Sequence, residues 1–161
     1  MRRIRSLTCL ALVLILALST TTPAIAAQDN LVASSVVPGA NIIVNAAHVI
    51  GSSRQLDALL SVKEIIINKP NIPSANIDKV ISLTTDKLGG NIDSLNVQVL
   101  AQIPKMTSQQ KKIVLEFYLA LINNLEDFIV RAENLKLSEK VINVLKAKHD
   151  MAKSTITNIR A

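Results

Sequence analysis

The sequence predicts an all-α protein: a small bundle of about five helices after a cleaved signal peptide, its last two helices forming an antiparallel hairpin. Three observations point there. Behind an apolar leader, apolar residues recur at steps of three and four, the period of one helix face. The apolar mass is Ile, Leu, Val and Ala, with Phe117, Tyr118 and Phe128 the only rings. Such a core is normally made of helices meeting along aliphatic seams. No partner for a strand is visible along the chain.

The leader comes first. Arg2, Arg3 and Arg5 give a positive start, and Leu7 to Leu18 is apolar apart from Thr8 and Cys9. Ser19 to Thr22 and Pro23 follow, and Ala24-Ile25-Ala26 places small residues where a signal peptidase reads them. These are the three parts of an export signal, with cleavage expected near Ala26 and Ala27. The apolar run is shorter than the roughly 20 residues that span a bilayer, so a retained anchor is the less favoured reading. Cys9 lies inside that run rather than at its end, which argues against a lipid-modified cysteine. The expected division is a signal peptide at 1–26, an uncharged N-terminal segment at 27–53 and a helical bundle domain at 54–161. The expected location is the periplasm or the outside of the cell. None of the asparagines is followed by x-Ser/Thr, so no N-glycosylation site points to eukaryotic secretion.

From Asn30 to Ser53 the chain is uncharged, with Pro38-Gly39 breaking it and Gly51-Ser52-Ser53 closing it. Ala40 to Ile50 is expected as a helix, although its β-branched residues also suit a short strand. The segment suits either a membrane-active or ligand-covering stretch or one laid across the bundle, and the second is preferred. Arg54 to Asn68 reads as a helix burying Leu56, Leu59, Leu60, Ile66 and Ile67, ended by Pro70 and Pro73. Ser74 is placed to cap a helix carrying Ile77, Val80, Ile81, Thr84 and Leu88, with Gly89-Gly90 as its terminal turn. A shorter helix then carries Ile92, Leu95, Val99 and Ile103 to Pro104.

Thr107 and Gln110 stand three apart, the capping-box spacing, and Met106 is placed to pack back on the first turn. The helix they open runs to about Leu135. Val114, Tyr118, Leu121, Leu125, Phe128, Ala132 and Leu135 form a heptad seam, widened by Leu115, Leu119, Ile122 and Ile129. A face that broad suggests burial on two sides within a bundle. Asp127 and Arg131 are expected as a surface pair at i,i+4. Ser138 is expected to cap the last helix, whose seam is Val141, Leu145, Ala152, Ile156 and Ile159, with Ile142 and Val144 beside it. The short turn between these two helices predicts their hairpin.

Met106-Thr107-Ser108-Gln109-Gln110 resembles the Leu-Thr-x-x-Gln motif of small periplasmic helical chaperones of the Spy type, over five residues and with Met for Leu. Leu137-Ser138-Glu139-Lys140-Val141 echoes it without the glutamine. The resemblance implies exported chaperone activity. The same pattern also arises at any helix start built from a staple and a capping box.

Composition excludes several functions. Cys9 leaves with the leader, so the mature chain has neither disulfides nor thiolate metal sites. Three rings on one predicted helix suit neither stacking on single-stranded nucleic acid nor sugar binding. The formal charge of +6 falls to about +3 without the leader arginines, a solubility-scale charge rather than a nucleic-acid footprint. His48 and His149 are the two histidines, too few and too isolated for a zinc site. There is no Gly-x-Ser-x-Gly elbow and no phosphate loop. The heptad spacing of Glu126 and Glu133 describes a solvated face rather than paired catalytic carboxylates. No enzyme activity, cofactor or metal is expected.

What remains is a basic stripe. Lys146, Lys153 and Arg160 stand seven apart with His149 at the edge, a candidate contact for an acidic partner or anionic lipid. The same residues also suit a solvated outer face with cations near a helix C-terminus. The expected function is a non-catalytic exported protein that binds another protein or unfolded clients. The alternative is a carrier or membrane-surface protein that holds an apolar ligand or anionic lipid.

Overall fold

The computed structural model describes residues 40–67, 69 and 75–161, and it is all-helical over them. The leader at 1–26, the stretch to Gly39, and Pro70, Pro73 and Ser74 lie outside the described residues. Among the described residues four α-helices follow one another: α1 (Ala40–Ile66), α2 (Ala75–Gln102), α3 (Ser108–Asn134) and α4 (Glu139–Arg160), with one 3-10 turn at Ile103–Lys105.

Two expected breaks are helical instead. Gly51-Ser52-Ser53 does not close a helix, and α1 runs through it, so the expected 53/54 boundary lies inside α1. Ile42, Ala46, Val49 and Ile50 before the glycine, and Leu56 and Leu60 after it, are buried on one continuous face. Packing along that face outweighs the roughly 1 kcal/mol that a helical glycine costs. Ser52 satisfies its hydroxyl inside the helix, donating to the His48 carbonyl at 2.8 Å.

Gly89-Gly90 is likewise not a terminal turn but the middle of α2. The reason is close approach. A Cβ at Gly89 would stand 3.2 Å from Lys148 Cε and 3.3 Å from Val144 Cγ1, whereas one at Gly90 would meet nothing within 4 Å. Gly89 therefore marks a close approach of α4 to α2. Gly89→Leu is expected to lower stability by about 1–3 kcal/mol by wedging these helices. Gly90→Ala should raise it by up to about 1 kcal/mol through helix propensity alone. Chemical denaturation of both variants checks the pair.

The capping box is present as expected. Gln110 N–H donates to Thr107 Oγ1 at 3.2 Å, and Thr107 N–H donates to Gln110 Oε1 at 2.9 Å. All seven residues of the α3 seam and all five of the α4 seam are buried. Leu119, Val80 and Ile67, expected on buried faces, are exposed. Ser138 holds the cap position of α4 but its side chain makes no cap hydrogen bond.

Between α3 and α4 the chain turns on Lys136, the one described non-glycine residue with positive φ (52°). Lys136 N–H donates to Glu133 O at 3.1 Å and Leu137 N–H to Ala132 O at 3.0 Å. This is the Schellman pattern, closed by the buried Leu137. Glycine normally occupies that left-handed position, so Lys136→Gly is expected to stabilise the fold by about 1 kcal/mol. A thermal melt that fell instead would contradict this reading of the turn.

The helices pair as two hairpins laid side by side. α1 and α2 are antiparallel: Lys63 meets Asp78 at 2.7 Å, and Asn91 donates to the His48 carbonyl at 3.2 Å. α3 and α4 are antiparallel: Lys146 meets Glu133 at 2.8 Å, and His149 meets Glu126 at 3.1 Å. Between the hairpins α2 runs parallel to α4, as the pairs Asp86–Lys140 and Asp93–Lys148 show. α1 runs parallel to α3 with lighter packing. One end of the bundle is thereby formed by the start of α1, the end of α2, the start of α3 and the end of α4. Ile42, Ala46, Leu95, Val99, Val114, Phe117 and Tyr118 converge there on a shared crevice too tight to hold a water molecule.

Candidate functional site

Four structural features compete for functional meaning. The first is the basic stripe on α4. Lys146 is ion-paired with Glu133, and the largely buried His149 ring stands between Glu126 (3.1 Å) and Asp150 (3.2 Å). Lys153 and Arg160 are exposed and have no ion-pair partner among the described residues. The stripe therefore divides: its first half is engaged within the hairpin and its second half faces solvent. Two further α4 cations reach the other hairpin, Lys140 to Asp86 and Lys148 to Asp93, both at 2.6 Å. Much of the basic character of α4 is spent on holding α2 and α3.

The second feature is Arg131, whose main partners lie on α1. Its side chain is 16% exposed. Nη1 donates to Asp57 at 2.6 Å, Nε to Glu64 at 2.7 Å and Nη2 to Ser61 Oγ at 2.9 Å. The expected i,i+4 partner Asp127 is present but at 3.7 Å. Burial disfavours the charged guanidinium, and the hydrogen bonds and charges of Glu64 and Asp57 more than offset it. The Arg131 pKa is thereby held above its ordinary value. Arg131 is a clamp across the lightly packed α1–α3 seam.

The third is a polar cluster under the α2–α3–α4 contact. The Thr155 hydroxyl lies against Asn96 Oδ1 and the Met151 carbonyl, beside the fully buried Tyr118. Burial pushes the Tyr118 phenol well above its ordinary 10.0, and the Thr155 hydroxyl opposes this only in part. With the folded value raised, the tyrosine's contribution to stability is complete below pH 10 and is lost as pH rises beyond it. Since Tyr118 is the only tyrosine, the phenolate absorbance of the native protein should stay flat through that range and rise only on unfolding. Tyr118→Phe should remove the tyrosine-dependent part of any alkaline loss of stability in urea titrations. An absorbance rise centred near pH 10 in the intact fold would contradict the assignment.

The fourth is an apolar exterior on the first hairpin. Val44, Ala47, Gly51, Ala58, Val62 and Ile65 all face solvent along α1, a row interrupted only by the polar Gln55. On α2, Val80, Leu83 and Val97 are exposed as well, Leu83 by 60% and Val97 by 63%. The antiparallel register sets Val44 level with Val97, Ala58 with Leu83, and Val62 with Val80. One side of the hairpin thus carries apolar groups along a helix face of roughly 30 Å. No sequence pattern flagged it, because these positions interleave with the buried ones.

Other chemistries find less support. His48 is exposed, and among the described residues no three His, Cys, Asp or Glu side chains come together as a metal site. No described helix is long and apolar enough to cross a membrane. The crevice at Phe117 and Tyr118 has no room for even a water molecule, far short of the pockets that enclose small molecules. No protein-family model matches the chain, and neither does any curated protein or solved structure.

Proposed function

We propose that this is an exported, non-catalytic binding protein that engages another protein or unfolded clients through the outer side of its first hairpin. The observation that carries this reading is the solvent-facing row from Val44 to Ile65 with Leu83 and Val97 beside it. Apolar exterior gathered on one side of a hairpin marks protein contacts more often than idle surface. Helical apolar faces bind extended or helical segments by burying alternate anchors. Support for export comes from the leader's basic, apolar and small-residue parts in order.

The test uses chain 27–161 and a reduced model protein that aggregates on standing. Near-stoichiometric addition is expected to delay the rise in light scattering. The double variant Val62→Glu, Leu83→Glu should lose that delay while keeping its helical circular dichroism. No delay, or an equal delay with the variant, would refute the client reading of this face.

A further inference from the structure

The net positive charge of the described chain is gathered at one end of the bundle. That end comprises residues 40–46, 95–118 and 151–161, brought together by the apolar contact around Ile42, Val99 and Val114 and by the Thr155–Asn96 contact. It holds five cations, Lys105, Lys111, Lys112, Lys153 and Arg160, and one acid, Glu116. The rest of the described chain holds ten cations and ten acids. There the charges pair, as with Arg131 to Asp57 and Glu64, Lys63 to Asp78 and Lys148 to Asp93. At the basic end none of the five cations has an ion-pair partner among the described residues.

We propose that this end rests on an anionic phospholipid surface, with Lys105, Lys111, Lys112, Lys153 and Arg160 as the contacting cations. An acidic protein would also suit the charge, and where the chain enters favours the bilayer. The residues before Ala40 join the bundle at this same end. Their sequence is uncharged from Asn30 onward and includes Leu31-Val32-Ala33 and Val36-Val37. Cations set around the entry of an uncharged apolar stretch complement both layers of a bilayer interface, head groups and acyl boundary. Docked this way, the bundle stands end-on, and the apolar side of α1 and α2 is left free for a protein partner.

The test is cosedimentation of chain 27–161 with vesicles of phosphatidylcholine containing about one-third phosphatidylglycerol, against phosphatidylcholine alone. Binding is expected only to the anionic vesicles and should fall at high salt. Replacing Lys112, Lys153 and Arg160 by glutamine should weaken partitioning at least about tenfold, given the attraction contributed by each basic residue near the surface. Replacing Lys69, Lys79 and Lys87, exposed cations of the other hairpin, removes the same charge and should leave partitioning within about twofold. These six exposed sites tolerate glutamine, and circular dichroism checks that each variant is folded. Equal loss in both variants would overturn the proposal, because net charge alone would then explain binding. Absence of vesicle binding together with retention on polyglutamate would overturn it in favour of an acidic protein. The client assay reads a different face, so either result stands independently of that reading.

Discussion

Phe117→Ala is expected to cost about 3–5 kcal/mol, the largest effect of any substitution considered for this fold. Phe117 is 2% exposed and meets Tyr118 edge-to-face, ring centroids 6.0 Å apart at 75°. The core is otherwise aliphatic apart from Phe128, so few neighbouring groups can swing in to fill the vacated space. The site also borders a crevice too tight for water, so truncation opens new empty volume beside it. Cavity terms grow with the volume that fails to collapse, which places this residue toward the upper part of the range. Urea unfolding followed by helical circular dichroism measures the loss. A cost below about 1 kcal/mol would mean that the start of α3 is not packed against α1 and α2 as described.

Arg131→Ala is expected to cost about 2–3 kcal/mol, more than an ordinary surface ion pair. Removing it leaves Asp57 and Glu64 close to each other's charge on α1 and strips the Ser61 hydroxyl of a donor. It also removes the charged link across a seam with little other packing, so α1 should loosen before the α3–α4 hairpin does. Asp127→Asn is the control. That pair is 3.7 Å long and its carboxylate is 47% exposed, so the change should stay within about 0.5 kcal/mol. Equal effects of the two variants would return Arg131 to the surface pairing that its sequence spacing suggests. Hydrogen exchange adds a second readout, with protection expected to fall first along α1.

Features set by neighbours in sequence were legible without the structure. The Thr107–Gln110 box, the seam from Val114 to Leu135 and the short turn to α4 are all local, and the structure contains each. Features set by neighbours in space were not. Gly89 reads as a helix end, because only the approach of Val144 and Lys148 explains a glycine in mid-helix. Gly51 reads the same way, although the buried face on either side carries α1 through it. Arg131 displays its i,i+4 partner in the sequence, while its stronger partners lie 67 and 74 residues away. The basic stripe on α4 is visible as spacing, and the engagement of its first half by Glu133 and Glu126 is not. The five-cation end is assembled from three separate spans, so no window of sequence displays it.

Native mass spectrometry of the protein taken from its own host's envelope or medium decides between a binding face and a carrier's interior. The expected species is a chain that begins at Ala27, carries no tightly held apolar ligand and travels with a second polypeptide. A lone chain that keeps a lipid-sized adduct after a high-salt wash would contradict it, because the aliphatic core would then be a carrier's site rather than the scaffold of a binding face.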